Sequence, residues 1–227
     1  MELLQDNGMI VSINREHSNR KGLMLMSEFT YETENRASKY ETYEWDNVWI
    51  EHANETGRKR VAYIGDSISV GTRRIATVRT EEKILFDGFG TSKALDNPYL
   101  KDSISLFFNQ VPNINTVLFN NGLHGWHLKD ETDYKVLYDE MISFILGEVK
   151  DAKLFVLLTT AVAKCDDNER VKTRNISARA VAEKYSLPVV DLYDITSKNI
   201  SKISNDGVHP TESLYEKIAD EIIRNIK

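Results

Sequence analysis

From residue 60 onward, short apolar runs alternate with longer amphipathic segments along the chain. Runs of this length that are rich in β-branched and aromatic residues are typical of parallel strands covered by helices on both faces. The pattern predicts five strands: Val61–Ile64, Lys83–Phe86, Asn115–Phe119, Lys153–Leu158 and Pro188–Leu192. We therefore expect an α/β fold with a doubly wound, five-stranded parallel sheet.

Apolar residues at helical spacing predict three helices that each pack one face on this sheet. The three sets are Tyr134, Leu137, Tyr138, Met141 and Ile145; Val171, Ala178, Val181, Ala182 and Tyr185; and Leu214, Ile218 and Ile222. The last set follows Pro210, whose fixed φ and missing N–H suit a first helical turn. We expect this final helix to close the domain.

Residues 1–45 have a different character, with two short strand-like runs in a polar background rich in Asn, Glu and Arg. We expect an N-terminal appendage at 1–45, formed as a hairpin or an arm, followed by the α/β domain at 46–227. An apolar cluster at this boundary should pack the arm on the core, because aromatic rings bury large areas. Its members are Tyr43, Trp45, Val48, Trp49 and Ile50. A platform on which a sugar stacks is the alternative use of Trp45 and Trp49.

Composition narrows the class of protein. The 227 residues are 41% hydrophobic and 28% charged, the balance of an ordinary globular protein with enough chain for one well-filled core. The net charge of −6 lacks the basic excess that binding to a phosphate backbone requires, so we expect no nucleic-acid partner. The chain has no apolar run of about 18 residues and no export signal at its start, so we expect a cytoplasmic protein without a membrane span.

The first segment that suggests chemistry is Gly65-Asp66-Ser67, which joins an apolar strand to a helix-like segment. This arrangement places the serine hydroxyl at the carboxyl edge of a parallel sheet, where open α/β folds bind ligands. The helix N-terminus adds backbone N–H groups and a positive dipole that favour developing negative charge. Taken alone, the segment is equally typical of a helix cap formed by Asp66 or Ser67.

The second segment runs from Asn205 to Pro210, just before the final helix, and contains Asp206 three residues ahead of His209. A carboxylate at this distance can accept a hydrogen bond from Nδ1–H of the imidazole, which leaves Nε2 free to act as a base. An Asp-Gly turn with a surface histidine is the structural alternative. Because both segments follow strands of one parallel sheet, we expect Ser67, Asp206 and His209 to converge.

These two segments together resemble the SGNH, or GDSL-type, hydrolases, and the resemblance covers roughly residues 60–227. It implies a flavodoxin-like three-layer α/β/α sandwich, in agreement with the strand and helix pattern. It also implies that Ser67 attacks an ester carbonyl, that His209 takes and returns the proton, and that Asp206 orients His209. Water then hydrolyses the acyl-enzyme.

In this family the oxyanion hole combines three donors: the N–H of the nucleophile, the N–H of a glycine after the second strand, and an Asn side chain from a Gly-x-Asn-Asp motif. This chain matches that pattern less well than it matches the triad segments. The resemblance implies the N–H of Ser67 and that of Gly90, with Gly88 as the alternative. After the third strand, His124 stands where the Asn is expected, and an imidazole N–H can also donate to an oxyanion. Asn121 is the alternative donor, and His124 could instead contact the substrate or support other site residues.

The resemblance implies an esterase that removes a small acyl group, most simply acetyl, from a carbohydrate or another small hydroxylated molecule. The alternatives are a lysophospholipase or thioesterase and a non-catalytic binding module on the same fold. We expect no metal and no cofactor, because the chain lacks nucleotide-binding glycine motifs and ligand-like spacing of His and acidic residues. The single Cys165 should be a bystander. The residues leave the oligomeric state open, a homo-oligomer included.

Overall fold

The structure, a computed structural model, describes residues 37–227 of the chain. The predicted hairpin in the N-terminal appendage lies outside these residues. The helices and strands follow one another in the order β1 (Asp46–Trp49), β2 (Lys59–Gly65), α1 (Ser67–Arg79), β3 (Ile84–Thr91), α2 (Leu100–Gln110), β4 (Ile114–Phe119), α3 (Glu131–Glu148), β5 (Lys153–Leu157), α4 (Cys165–Lys184), β6 (Val189–Val190), α5 (Leu192–Ser197), a 3-10 turn (Ile200–Lys202) and α6 (Glu212–Ile226).

The strands form one sheet in the order β1-β3-β2-β4-β5-β6. Strands β2 to β6 are parallel, so the predicted α/β fold with five parallel strands is confirmed. The sheet also contains a sixth strand, β1, which pairs antiparallel with β3 at the edge. The sequence pattern did not indicate β1 because all four of its residues are exposed and carry no alternation of buried and exposed positions.

Some boundaries differ from the predicted ones. Strand β3 continues to Thr91 instead of ending at Phe86, because it is paired with β2 on one side and with β1 on the other. The final helix begins at Glu212, and Pro210 lies before it in a backbone bridge with Ile203. The proline therefore precedes the helix and is not part of its first turn.

Alternate residues of the strands face two separate apolar layers, which explains the near-continuous apolar runs. In β2, Ala62 and Ile64 pack in the layer that contains α2 and α3, whereas Val61 and Tyr63 pack in the layer that contains α1 and α6. Helix α4 contributes residues to both layers. This is the three-layer sandwich that the resemblance implied. No helix within residues 37–227 is long and apolar enough to span a membrane.

The aromatic cluster before the domain packs less than predicted. Tyr43, Val48 and Trp49 remain 48%, 43% and 49% exposed, so the predicted packing is wrong for these three residues. They lie on or beside β1, whose outer edge borders no other strand of the described sheet. Ile50 does pack against the core, and Trp45 is partly buried next to the loop that follows β3.

A buried ion pair ties β2 to β3 below the level of the candidate site. Arg60 Nη1 lies 2.9 Å from both carboxylate oxygens of Asp87, and both side chains are fully buried. The same guanidinium donates to the backbone carbonyls of Glu51, His52 and Glu55, which belong to the connection between β1 and β2. One cation therefore holds two strands and a loop.

We expect Asp87→Ala to lower the free energy of unfolding by about 3–5 kcal/mol, because it leaves the Arg60 charge buried without its counterion. Urea denaturation followed by circular dichroism measures this loss. Lys83→Ala is the control, since Lys83 and Glu81 form an exposed pair and should contribute less than about 1 kcal/mol. Equal effects of the two substitutions would contradict the structural role assigned to Arg60.

Candidate active site

Ser67 is the first residue of α1 and is separated from the end of β2 only by Asp66. Asp66 caps the helix, because its carboxylate accepts a hydrogen bond of 2.9 Å from the N–H of Ile68. The side chain that caps the helix is therefore that of Asp66 and not that of Ser67. The Ser67 residue lies half-buried at the carboxyl edge of the sheet. Capping by the aspartate and chemistry by the serine are compatible in this arrangement.

Asp206 and His209 lie on a closed turn between the 3-10 turn and α6. The turn is held by the N–H of Ser204, which donates to the carbonyl of His209 at 2.8 Å, and by the N–H of Gly207, which donates to the carbonyl of Ser204 at 2.9 Å. Gly207 has a φ of +79°, a conformation that residues with a side chain rarely adopt. Its carbonyl accepts a hydrogen bond of 2.7 Å from the N–H of Ala163, which attaches the turn to the loop after β5.

The fold brings the three predicted triad residues together. His209 Nε2 lies 2.8 Å from Ser67 Oγ, and His209 Nδ1 lies 2.8 Å from Asp206 Oδ2. Both distances are those of good hydrogen bonds. With a proton on Nδ1 held by the carboxylate, Nε2 presents a lone pair to the serine hydroxyl, which is the arrangement of a serine nucleophile beside its general base.

The environment of Asp206 keeps this carboxylate ionised. Its partial burial acts to raise the pKa, but hydrogen bonds from the N–H groups of Val208 and His209 and from the hydroxyl of Ser204 hold the pKa of Asp206 well below its usual range. The charged form therefore persists into acid, and it can stabilise a positive charge on His209.

The predicted oxyanion residue Gly90 lies beside the serine segment. It is the register partner of Gly65 in β2, and a Cβ atom at Gly90 would lie 3.3 Å from the carbonyl oxygen of Asp66 and 2.3 Å from the side chain of Val70. Gly88, the alternative, lies two residues further from this edge, where the side chain of Arg73 fills the space that a Cβ would need. Of the two glycines, Gly90 is the one next to Asp66, the residue before Ser67.

Asn121, one of the two side-chain donors considered for the oxyanion, lies in the loop after β4. Its Nδ2 donates to the carbonyl of Lys93 at 2.8 Å, which connects the loops that follow β3 and β4. Its backbone carbonyl accepts a hydrogen bond of 2.7 Å from the hydroxyl of Tyr134. Asn121 therefore holds the two loops together, and its amide is already used in part for that purpose.

His124, the other donor considered, is buried between polar and aromatic neighbours. Its Nδ1 lies 3.4 Å from a carboxylate oxygen of Glu41, and both side chains are at most 5% exposed. The ring of Trp45 meets the imidazole edge-on, with centroids 6.3 Å apart. Sequence reasoning missed Glu41, because a glutamate 83 positions earlier in an irregular segment carries no local signal that relates it to His124.

Two arginines of α4 also escaped the sequence reading, although they reach the loop that carries His124. Arg170 and Arg174 share the carboxylate of Glu131, and both guanidinium groups lie over the ring of Trp126. The apolar spacing that predicts α4 carries no signal for its buried cations. His127 likewise has an unpredicted partner, Asp96, at 2.9 Å. Within residues 37–227, no group of three or more His, Cys, Asp or Glu side chains could hold a metal ion.

Comparison with known proteins places this architecture among solved structures. An acetyl xylan esterase, AlAXEase, is 16% identical, with a TM-score of 0.60 over 74% of this chain and 100% of that one. A member of the lipolytic G-D-S-L family from Veillonella parvula is 16% identical, with a TM-score of 0.60 over 73% and 97%. Est24, a carbohydrate acetylesterase from Sinorhizobium meliloti, is 15% identical, with a TM-score of 0.55 over 74% and 99%.

This chain has their fold. No family model matches the sequence, and no curated protein matches it either. The likeness therefore lies in the arrangement of strands and helices, while the roles of the site residues stay predictions that depend on the geometry described above.

We expect a fluorophosphonate probe to react with Ser67 and with no other serine, because His209 can take the proton of its hydroxyl. Peptide mass spectrometry of the labelled protein identifies the site. Ser69 is the matched control: its hydroxyl donates to the carbonyl of Asp66 and it is only 2% exposed. Asp206→Asn should slow labelling strongly, since loss of the orienting carboxylate costs a serine triad on the order of 10⁴ in rate. Labelling at Ser69 would show that the nucleophile is misplaced.

Proposed function

We propose that this protein is a carboxylic ester hydrolase of the SGNH type, with Ser67 as nucleophile, His209 as general base and Asp206 as the residue that orients it. The observation that supports this most directly is the continuous chain of hydrogen bonds from Asp206 through His209 to Ser67, with both steps at 2.8 Å. The chain ends at a helix N-terminus on the carboxyl edge of a parallel sheet, which is where such folds bind small molecules.

The proposed reaction has two halves. In the first, Ser67 Oγ bonds to the acyl carbon while His209 Nε2 takes the hydroxyl proton, and the same proton passes to the departing alcohol oxygen. In the second, a water molecule gives a proton to His209 and its oxygen bonds to the acyl carbon. The bond between the acyl carbon and Ser67 Oγ then breaks, His209 returns the proton to Oγ, and the acid leaves. Asp206 stabilises the imidazolium in both halves without taking up the proton.

The negative oxygen that forms in each half needs hydrogen-bond donors. The N–H of Ser67, at the first position of α1, and the N–H of Gly90, on the neighbouring strand, are the backbone donors of our proposal. The side-chain donor is His124 or Asn121, both from the loop after β4. His124 stands at the position of the Asn in the motif of the family, which favours it for this role, and Asn121 is the alternative.

For the substrate we propose small acyl esters, acetyl first, on a carbohydrate or a similar hydroxylated alcohol. The departure from Gly-x-Asn-Asp resembles a variant among SGNH proteins that act on carbohydrate esters, and two proteins of the same fold are an acetyl xylan esterase and a carbohydrate acetylesterase. Others of this fold are described as lipases or acylhydrolases. A lysophospholipase or thioesterase therefore remains the second candidate, and a binding module without catalysis is the third.

The test is release of acetate from acetylated xylo-oligosaccharides and turnover of p-nitrophenyl esters of increasing chain length. We expect kcat/KM to be highest for acetyl and to fall with longer chains, and we expect Ser67→Ala to remove activity while leaving the unfolding curve unchanged, because Ser67 contributes little to the core. A preference for long acyl chains would favour the lipase-like alternative. Turnover by Ser67→Ala equal to wild type would refute the proposed nucleophile.

Substitution of the two side-chain donors separates their roles. If His124 donates to the oxyanion, His124→Ala should lower kcat by about 10²–10³ with little change in KM, since this is the usual cost of one lost donor. His124→Asn should restore part of the rate, and Asn121→Ala should cost less. The opposite ranking, measured by steady-state kinetics on p-nitrophenyl acetate, would assign the donor to Asn121.

A further inference from the structure

Arg174 is a fully buried cation that is bound by the loop after β4 and by the start of α3. Its Nη1 donates to the carbonyls of Gly122 at 3.1 Å and His124 at 2.7 Å, and its Nη2 donates to the carbonyl of Gly125 at 2.8 Å. Its Nε donates to Glu131 at 3.0 Å, which supplies the counterion. A buried guanidinium is costly unless its donors are all used in this way.

Aromatic rings complete the enclosure. The guanidinium carbon lies 4.7 Å from the ring centroids of both Trp126 and Tyr134. Burial lowers the pKa of Arg174 in spite of the opposing effects of Tyr134 and Glu131, but an arginine keeps its proton in proteins under all ordinary conditions. The side chain is thus a permanent, rigid donor between α4 and the loop.

The carbonyls of Gly122 and His124 determine the direction of the N–H group of the residue that follows each of them. In a planar trans peptide the C=O of one residue and the N–H of the next point in opposite directions, and residues 37–227 contain no cis peptide. When the carbonyls of Gly122 and His124 face Arg174, the N–H groups of Leu123 and Gly125 therefore face away from it. Within the described residues, neither N–H donates to a backbone carbonyl.

The same loop begins next to the serine segment. The N–H of Asn120 donates to the carbonyl of Ile64 at 3.0 Å, three residues before Ser67 in sequence. Asn120 also borders a small cavity together with Gly65 and Asp66. Movement of the loop backbone would consequently change the surroundings of the nucleophile.

We propose that Arg174 is a positioning residue of the esterase. It binds the carbonyls of Gly122, His124 and Gly125 on one side of the loop. It thereby fixes the loop backbone, the N–H groups of Leu123 and Gly125, and the Cα–Cβ bond of His124 in the conformation that the reaction requires. This inference rests on the proposed function. It adds that the third part of the oxyanion environment is maintained from α4, by a side chain that does not touch the substrate.

The test compares Arg174→Lys with Arg170→Lys in the full chain. Lysine keeps the charge but cannot reach three carbonyls and Glu131 at once. Arg170 is the matched control, because it also contacts Glu131 and Trp126 but bonds the carbonyls of Trp126 and Leu128, beyond the His124 segment. We expect Arg174→Lys to lower kcat about 100-fold, as a displacement of about 1 Å in a site can do, while KM changes little. Arg170→Lys should stay close to wild type.

A second readout separates positioning from mere stability. An alkyl boronic acid forms an anionic adduct with an active-site serine. Its affinity for Arg174→Lys should therefore fall in parallel with kcat. Both measurements are made at a temperature at which urea denaturation curves show that the two variants are folded. Equal losses in the two arginine variants, or an unchanged kcat in folded Arg174→Lys, would overturn the inference.

If Arg174→Lys does not fold, Glu131→Gln is the second variant, because it removes the counterion but keeps the guanidinium. We expect the same loss of kcat and boronate affinity in Glu131→Gln. Wild-type values would overturn the inference. A wild-type protein that hydrolyses no ester refutes the proposed function and this inference together. An active wild type with an equally active Arg174→Lys refutes only the inference.

Discussion

The parallel pairing of β2 with β3 on one side and β4 on the other is the constraint on which the site depends. Gly65 is opposite Gly90, and Ile64 is opposite Phe119, so the three strands end at nearly the same level. The segments that leave this edge include the serine, the proposed backbone donor and the loop of His124. Hydrogen bonds between backbones thus bring residues that are far apart in sequence to one edge of the sheet.

The parts of the fold that could be predicted from sequence are those in which burial imposes a repeat. Both faces of β2, β4 and β5 are covered, which produces apolar runs, and α3 buries Tyr134, Tyr138 and Met141 at helical spacing. Strand β1 escaped prediction because none of its residues is buried. Its existence depends on pairing with β3, and in an exposed edge strand this pairing imposes only a weak preference on side-chain type.

In the candidate site, too, contacts fixed by the local chain or by the topology of the sheet could be predicted, whereas other contacts between residues from distant segments could not. The contact between Asp206 and His209 could be anticipated because three residues of chain across a glycine turn fix it. The approach of Ser67 to His209 followed from topology, since both lie at the carboxyl edge of the sheet. The surroundings of His124 could not be read in advance, because Glu41 and Arg174 reach it from distant segments whose spacing is unrelated to the loop.

The packing of α1 against α6 has a consequence for how the proposed activity should respond to heat. Ser67 begins α1, and His209 lies just before α6. Apolar residues of both helices share one layer, and Arg79 at the end of α1 forms an ion pair with Asp220 of α6. The proposed nucleophile and its proposed base are therefore attached to helices that pack in the same layer of the core. Heating should not detach one from the other before the core itself melts, so loss of turnover would report on global unfolding of the domain and not on local fraying of a loop.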